Sequence, residues 1–208
     1  MAGYFTSLKD FCVVVPIAPD EQEHYPLLDL LRQSDAEIIT ASKGSRAKSL
    51  NWGANQTQKP FIWFVHADSR FDFERTSYCL KQAALKDPNA LYYCDLMFDG
   101  PFYMRANAEG ANVRSRLLGL PFGDQALMIA RRLFDELGGY CETLAYGEDL
   151  DFVLRVKSAK IPVKSLGCKL TTNSRRYQQT GWLRLTMRYQ MIWVSMYLKY
   201  LKALIKRF

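Results

Sequence analysis

The chain has 208 residues, 49% of them hydrophobic, which suits one globular domain with a real core, alone or with an appendage. Its net charge of +7 is split: residues 1–151 hold 15 Lys/Arg and all 21 Asp/Glu, whereas residues 152–208 hold 13 Lys/Arg and no acid, so the C-terminal region suits an anionic partner such as membrane lipid, nucleic acid or a phosphorylated substrate. The composition speaks against a secreted or zinc-stapled domain: Met1 to Asp10 shows no basic segment leading into a long apolar run, and the five Cys are odd in number and lack a C-x-x-C pair, as expected of reduced, mostly buried thiols in a cytoplasmic protein.

In chain order, FCVVVPI (11–17) is a short continuous apolar run and predicts a strand buried on both faces. YPLLDLLRQ (25–33) has helical spacing with Pro26 in the first turn. AEIITAS (36–42) predicts a second strand, SRAKSLNWGANQ (45–56) a helix opened by a Ser cap, and FIWFV (61–65) a third strand. A helix over 72–85 and a strand over 90–98 follow. Residues 112–140 give a helix, a Gly-containing loop, a strand near 126–129 and a helix over 131–137 stopped by Gly138-Gly139. YGEDLDFVLRVKSA (146–159) predicts a helix with Glu148 and Asp149 in its first turn. PVKSLG and KLTTNS read as two short strands, and residues 180–208 as a helix. Alternation of strand and helix from the start predicts an α/β fold built on mostly parallel strands.

His66-Ala67-Asp68 falls just after the third strand. In open α/β sheets, ligands bind in the crevice outside the carboxyl ends of the strands. The alternative is a strand that turns polar as it reaches the surface. Lys43, Arg46 and Lys48 surround the N-terminus of the second helix, which is a ready phosphate site or else a solvated basic face.

The ordered set GSRAKSLNWGA, FVHADSRF, RSRLLGLPFGDQALMIARR, GEDLDF and SRRY resembles family 2-type glycosyltransferases of the GT-A fold, and among them the radical-SAM/selenodomain-associated transferase 2 group. The resemblance covers roughly residues 45–189. It implies a GT-A (Rossmann-like) mixed, mostly parallel sheet flanked by helices over 1–178, a nucleoside-diphosphate-sugar donor, a hydroxyl acceptor, and a divalent Mg or Mn ion. The departing diphosphate needs its charge stabilised by a cation or by Lys/Arg, and such hard ions keep several waters, so one or two carboxylates suffice. By the resemblance, Asp68 holds the metal, and His66 stands where the family has the acid that approaches the ribose. Lys43 and Arg46 belong to the phosphate side, Asp124 and Gln125 to the acceptor side, and Asp149 acts as base with Glu148 in support. The inverting reaction asks for such a base. Three carboxylates within residues 148–151 should repel and raise at least one pKa, whereas a helix N-terminus keeps them charged. One departure stands out: AEIITAS meets KGSRAKSLNWGA directly, so a donor-side βα unit is shortened near residues 41–46.

The competing function is a noncatalytic GT-A-like module that binds a phosphorylated ligand or a membrane. Nucleic acid is the least favoured partner, because no recognisable module is present and the Trp and Tyr of the tail sit on an apolar stripe rather than among basic residues. That tail, residues 179–208, predicts a basic amphipathic helix. Its longest uncharged run has ten residues, too few for the ~20 that cross a bilayer. Tyr189, Trp193, Met196, Tyr197, Tyr200, Leu201, Leu204 and Phe208 share one face, and Arg184, Arg188, Lys199, Lys202 and Lys206 the opposite one. The apolar face is expected to dock on an anionic membrane surface, where lipid-linked acceptors would be met, or else to pack on the sheet or mediate self-association.

Overall fold

A computed structural model describes residues 7–18 and 25–205. The N-terminal ten residues, on which the absence of a leader was read, lie largely outside them. Among the described residues the elements run β1 (Phe11–Pro16), α1 (Pro26–Leu31), β2 (Glu37–Ala41), α2 (Arg46–Asn55), β3 (Phe61–Phe64), α3 (Phe73–Lys86), β4 (Leu91–Phe98), α4 (Met104–Leu118), a 3₁₀ turn (Gly123–Gln125), β5 (Met128–Ala130), α5 (Arg131–Glu136), α6 (Glu148–Ser158), β6 (Val163–Thr172), α7 (Arg175–Thr180) and α8 (Trp182–Ile205). The six strands form one sheet in the order β2-β1-β3-β5-β4-β6. β5 runs antiparallel to both its neighbours, β3 and β4, and every other pairing is parallel.

The period of two along a strand sends alternate side chains to opposite faces. Val13, Val15, Trp63 and Val65 enter one core layer with Leu27 and Leu31 of α1 and Phe73 and Leu80 of α3. Cys12, Val14, Ile62 and Phe64 enter the other, against Leu50 of α2, Phe134 of α5 and Phe152 of α6. The continuous apolar runs are therefore those of a sheet covered on both sides. α2 comes so close to β1 that a Cβ at Gly53 would collide with Val14.

Three elements differ from the sequence expectation. α4 starts at Met104, eight residues before Asn112. The two short strands expected around Gly167 are one strand, β6; its register against β4 shifts between Tyr93 and Asp95, and Gly167 takes φ +74° there, as a bulge requires. The short helix α7 precedes the long one, with Gly181 between them. β2 is one edge of the sheet, and only residues 42–45 separate it from α2.

The tail helix needs a correction. The stripe expected to face lipid is covered by the protein itself: Trp193, Met196, Tyr197 and Tyr200 pack against the second core layer. Gly147, at φ +79°, makes room for the Met196 sulfur, which would lie 2.8 Å from a Cβ at that position. Arg184, Arg188, Lys199 and Lys202 are exposed as expected, while Lys206, Arg207, Phe208 and the Leu204 side chain lie outside what is described.

Candidate active site

β3 delivers His66 to the carboxyl edge of the sheet. The turn beyond it is closed by Ser69 N–H donating to His66 O at 3.1 Å. His66 is half-buried. Burial, and then the positive charge of Arg46, push its pKa down to about 3, so the imidazole is neutral. Asp68 is exposed and faces the end of β6, where Thr172 Oγ1 lies 3.5 Å from Oδ2. The β3 and β6 ends are tied by paired bonds between the backbones of Arg70 and Thr171, 2.8 Å each way.

α2 is capped by Ser45, whose hydroxyl accepts from Lys48 N–H at 3.2 Å. The basic residues at this helix start diverge. Lys43 lies over the Trp52 ring, 4.4 Å from its centroid, at an open depression of about 380 Å³ lined also by Lys48, Asn51, Asn55 and Glu142. Arg46 turns toward α6 instead. Its Nε is 2.7 Å from Glu148 Oε1, too bent for a hydrogen bond, and its Nη2 donates to Asp149 Oδ2 at 3.1 Å. A Cβ at Gly123 would strike this guanidinium, so the glycine is what lets the arginine pass.

Asp149 is the best-held group of the site. Oδ2 also accepts from Gly123 N–H at 2.7 Å, and Oδ1 from Leu150 N–H at 2.8 Å. Burial would raise its pKa, but Arg46 and these two amides outweigh burial and hold it below the ordinary carboxylate range. The expected repulsion within residues 148–151 does not govern, because Asp151 pairs with Arg155 at 2.9 Å on its own helix. The carboxyl with a raised pKa is Asp124 in the 3₁₀ turn. Burial pushes it up to about 6 against the pull of Arg114 and Arg46 and with help from Asp149. Its Oδ1 is buried without a hydrogen-bond partner among the described residues.

Gln125, expected on the acceptor side, is fully buried. It accepts from Ser115 Oγ at 2.8 Å and Phe122 N–H at 3.2 Å, and donates to Cys94 O at 3.2 Å. Its amide is spent on holding the turn that presents Asp124. Sequence reasoning passed over Arg114 of α4, although it lies within the quoted RSRLLGLPFGDQ. Its guanidinium stacks 3.5 Å over the Phe122 ring, Nε donates to Leu120 O at 2.9 Å, and Nη2 is buried with no partner among the described residues. Burial lowers its pKa despite Asp124 and Asp149. Two arginines, Arg46 and Arg114, thus enclose Asp124 and Asp149 beside a neutral histidine.

No cluster of three His, Cys, Asp or Glu side chains that could hold a metal occurs among the described residues. Asp68 and Thr172 offer hard oxygen atoms at the sheet edge, which fits an ion that takes its remaining ligands from a diphosphate and water.

This arrangement stands on a fold shared with solved structures. The chain matches the crystal structure of TarS from S. aureus, a glycosyltransferase, with a TM-score of 0.53 at 13% identity, over 78% of this chain and 36% of that one. The fold is a glycosyltransferase-like, GT-A-type α/β fold. The chain spans about a third of the length of TarS. No family model matches it, and neither does any curated protein in sequence.

Proposed function

We propose that this chain is a family 2-like glycosyltransferase that moves a sugar from a nucleoside-diphosphate sugar to an acceptor hydroxyl with inversion. The observation that carries the proposal is the carboxylate pair Glu148-Asp149 at the start of α6, held by Arg46 from the phosphate-side helix α2, with His66 of the β3 end close enough to feel the charges of Arg46 and Asp149. In the reaction the acceptor oxygen attacks the anomeric carbon, the bond from that carbon to the diphosphate breaks, and the acceptor proton passes to Asp149. A bound Mg or Mn ion, with Asp68 as its protein ligand, would supply charge neutralisation for the leaving diphosphate.

Arg46 gives the site its order of events. Tied to Glu148 and Asp149, it keeps the base weak. A donor diphosphate offers Arg46 a second, more highly charged partner. As the guanidinium shifts toward phosphate, Asp149 loses the strongest influence that lowers its pKa, and burial moves it toward a working base. Asp124, with its unpartnered oxygen and raised pKa, is suited to receive an acceptor hydroxyl. Calorimetric titration with UDP, GDP and CDP, each with and without Mn²⁺, tests the donor half. One nucleotide should bind with Mn²⁺ dependence that Asp68→Asn removes, and equal affinity in both proteins would reject Asp68 as the ligand. Nucleotide binding without any donor turnover, even slow hydrolysis, would favour the noncatalytic module.

A further inference from the structure

Helix α8 has two apolar faces, and the protein covers only one. Opposite the packed residues stand Leu183, Met187, Met191, Val194, Leu198 and Ile205, between 39% and 74% exposed. At ~100° per residue they fall within a stripe ~80° wide, and the exposed Arg184, Arg188, Lys199 and Lys202 occupy the next ~60°.

We propose that this second face docks on an anionic lipid bilayer. The charge decides the occupant. α8 carries Arg184, Arg188, Lys199 and Lys202 on its exposed side and no acid anywhere, so a second copy of α8 would set like charge against like charge, whereas a layer of anionic headgroups answers these four. No helix among the described residues is long and apolar enough to cross a membrane. Leu and Met side chains entering the acyl boundary, with Lys and Arg reaching back to the headgroups, describe a helix lying in the interface. Because Met196 on the inner face sits at Gly147, the lipid surface would lie about one helix diameter, ~10 Å, from the start of α6. The inference stands apart from the transferase reading, since it uses only α8 and its charge.

Flotation of the full chain with vesicles tests it, using phosphatidylcholine alone and phosphatidylcholine mixed with phosphatidylglycerol, at low and high salt. Wild type should float with the anionic vesicles only and be released by salt. The triple variant Met187→Asp, Met191→Asp, Leu198→Asp should lose at least tenfold in partitioning, with its thermal midpoint kept. Arg184→Gln, Lys199→Gln and Lys202→Gln should each cost about fivefold. These charge variants, at exposed positions, keep the test decisive should the triple variant fold poorly. Failure to float, equal binding to neutral vesicles, or unchanged binding by the charge variants would overturn the proposal. So would a wild-type dimer that the triple variant splits, which would assign the face to a second copy.

Discussion

Asp149 and Asp124 are two carboxyls of one site under opposite forces, and pH separates them. The folded-state pKa of Asp124, about 6, lies above its ordinary 3.8, so the folded protein binds this proton more tightly than the unfolded chain. Its contribution to stability is full below pH ~4 and is lost as pH rises through ~6. Asp124→Asn should therefore raise stability at pH 8 by about 1–2 kcal/mol, after discounting for its partial exposure, and change it little at pH 4. Paired thermal unfolding at the two pH values checks this; an equal shift at both would show that the carboxyl titrates normally. Asp149 has the reverse sign. Its lowered pKa contributes stability above the ordinary carboxylate range that is lost on acidification. For activity, Asp149→Asn should reduce turnover about 10²–10⁴-fold while donor binding persists, since a base acts on the acceptor. Activity within a few-fold of wild type would remove Asp149 from that role. The positions of Asp68 just past a strand, and of Arg46 and Asp149 in the first turn of a helix, were legible in the sequence because apolar runs and caps mark those element ends. That Arg46 and Asp149 meet was not legible, because the contact joins residues 103 apart and no local pattern reports it.

At the scale of elements, α2 and α6 are joined through Arg46, and α6 and α8 through Gly147. Replacing Arg46 with Met leaves Glu148 and Asp149, whose side chains are 12% and 14% exposed, without their cation. The expected cost is about 1–3 kcal/mol. In a double-mutant cycle, Asp149→Asn should recover part of it, and strict additivity would mean that the pair is not coupled. Gly147→Ala meets two obstacles, a left-handed φ of +79° and the Met196 sulfur. It should destabilise by about 1–2 kcal/mol from the backbone alone. Adding Met196→Ala should relieve the collision but not the backbone strain, as calorimetric unfolding of both variants would show. Strands were readable wherever an apolar run was continuous, as in β1 and β3. β6 was misread because Gly167 looks like a terminator when it is a bulge. The start of α4 was missed because Asn107, Gly110 and Asn112 dilute its apolar spacing. For α8 the periodicity found the aromatic stripe and the basic residues opposite it, but it did not say that the domain would cover that stripe, and the second apolar face of Leu183, Met187, Met191, Val194, Leu198 and Ile205 was not read at all.

Over the whole molecule, α8 belongs to the core as much as to the surface. Trp193, Met196, Tyr197 and Tyr200 lie on the second layer, so a chain ending at Thr180 should lose several degrees of thermal stability and bind a hydrophobic dye, rather than behave as a domain freed of its appendage. An unchanged midpoint would make α8 dispensable to the fold. The overall α/β plan was legible from alternation alone, but the place of β5 was not, because a three-residue strand carries no signal of direction. That placement bears on biosynthesis. β3 and β4 follow each other along the chain yet are not neighbours; the slot between them is filled by Met128–Ala130, threaded in the opposite direction. A ribosome that has released β4 but not β5 holds a chain with two facing open strand edges, rich in unpaired N–H and C=O groups. Nascent chains arrested short of Met128 should be protease-sensitive and chaperone-bound, and resistance should appear only after β5, α6 and β6 have emerged.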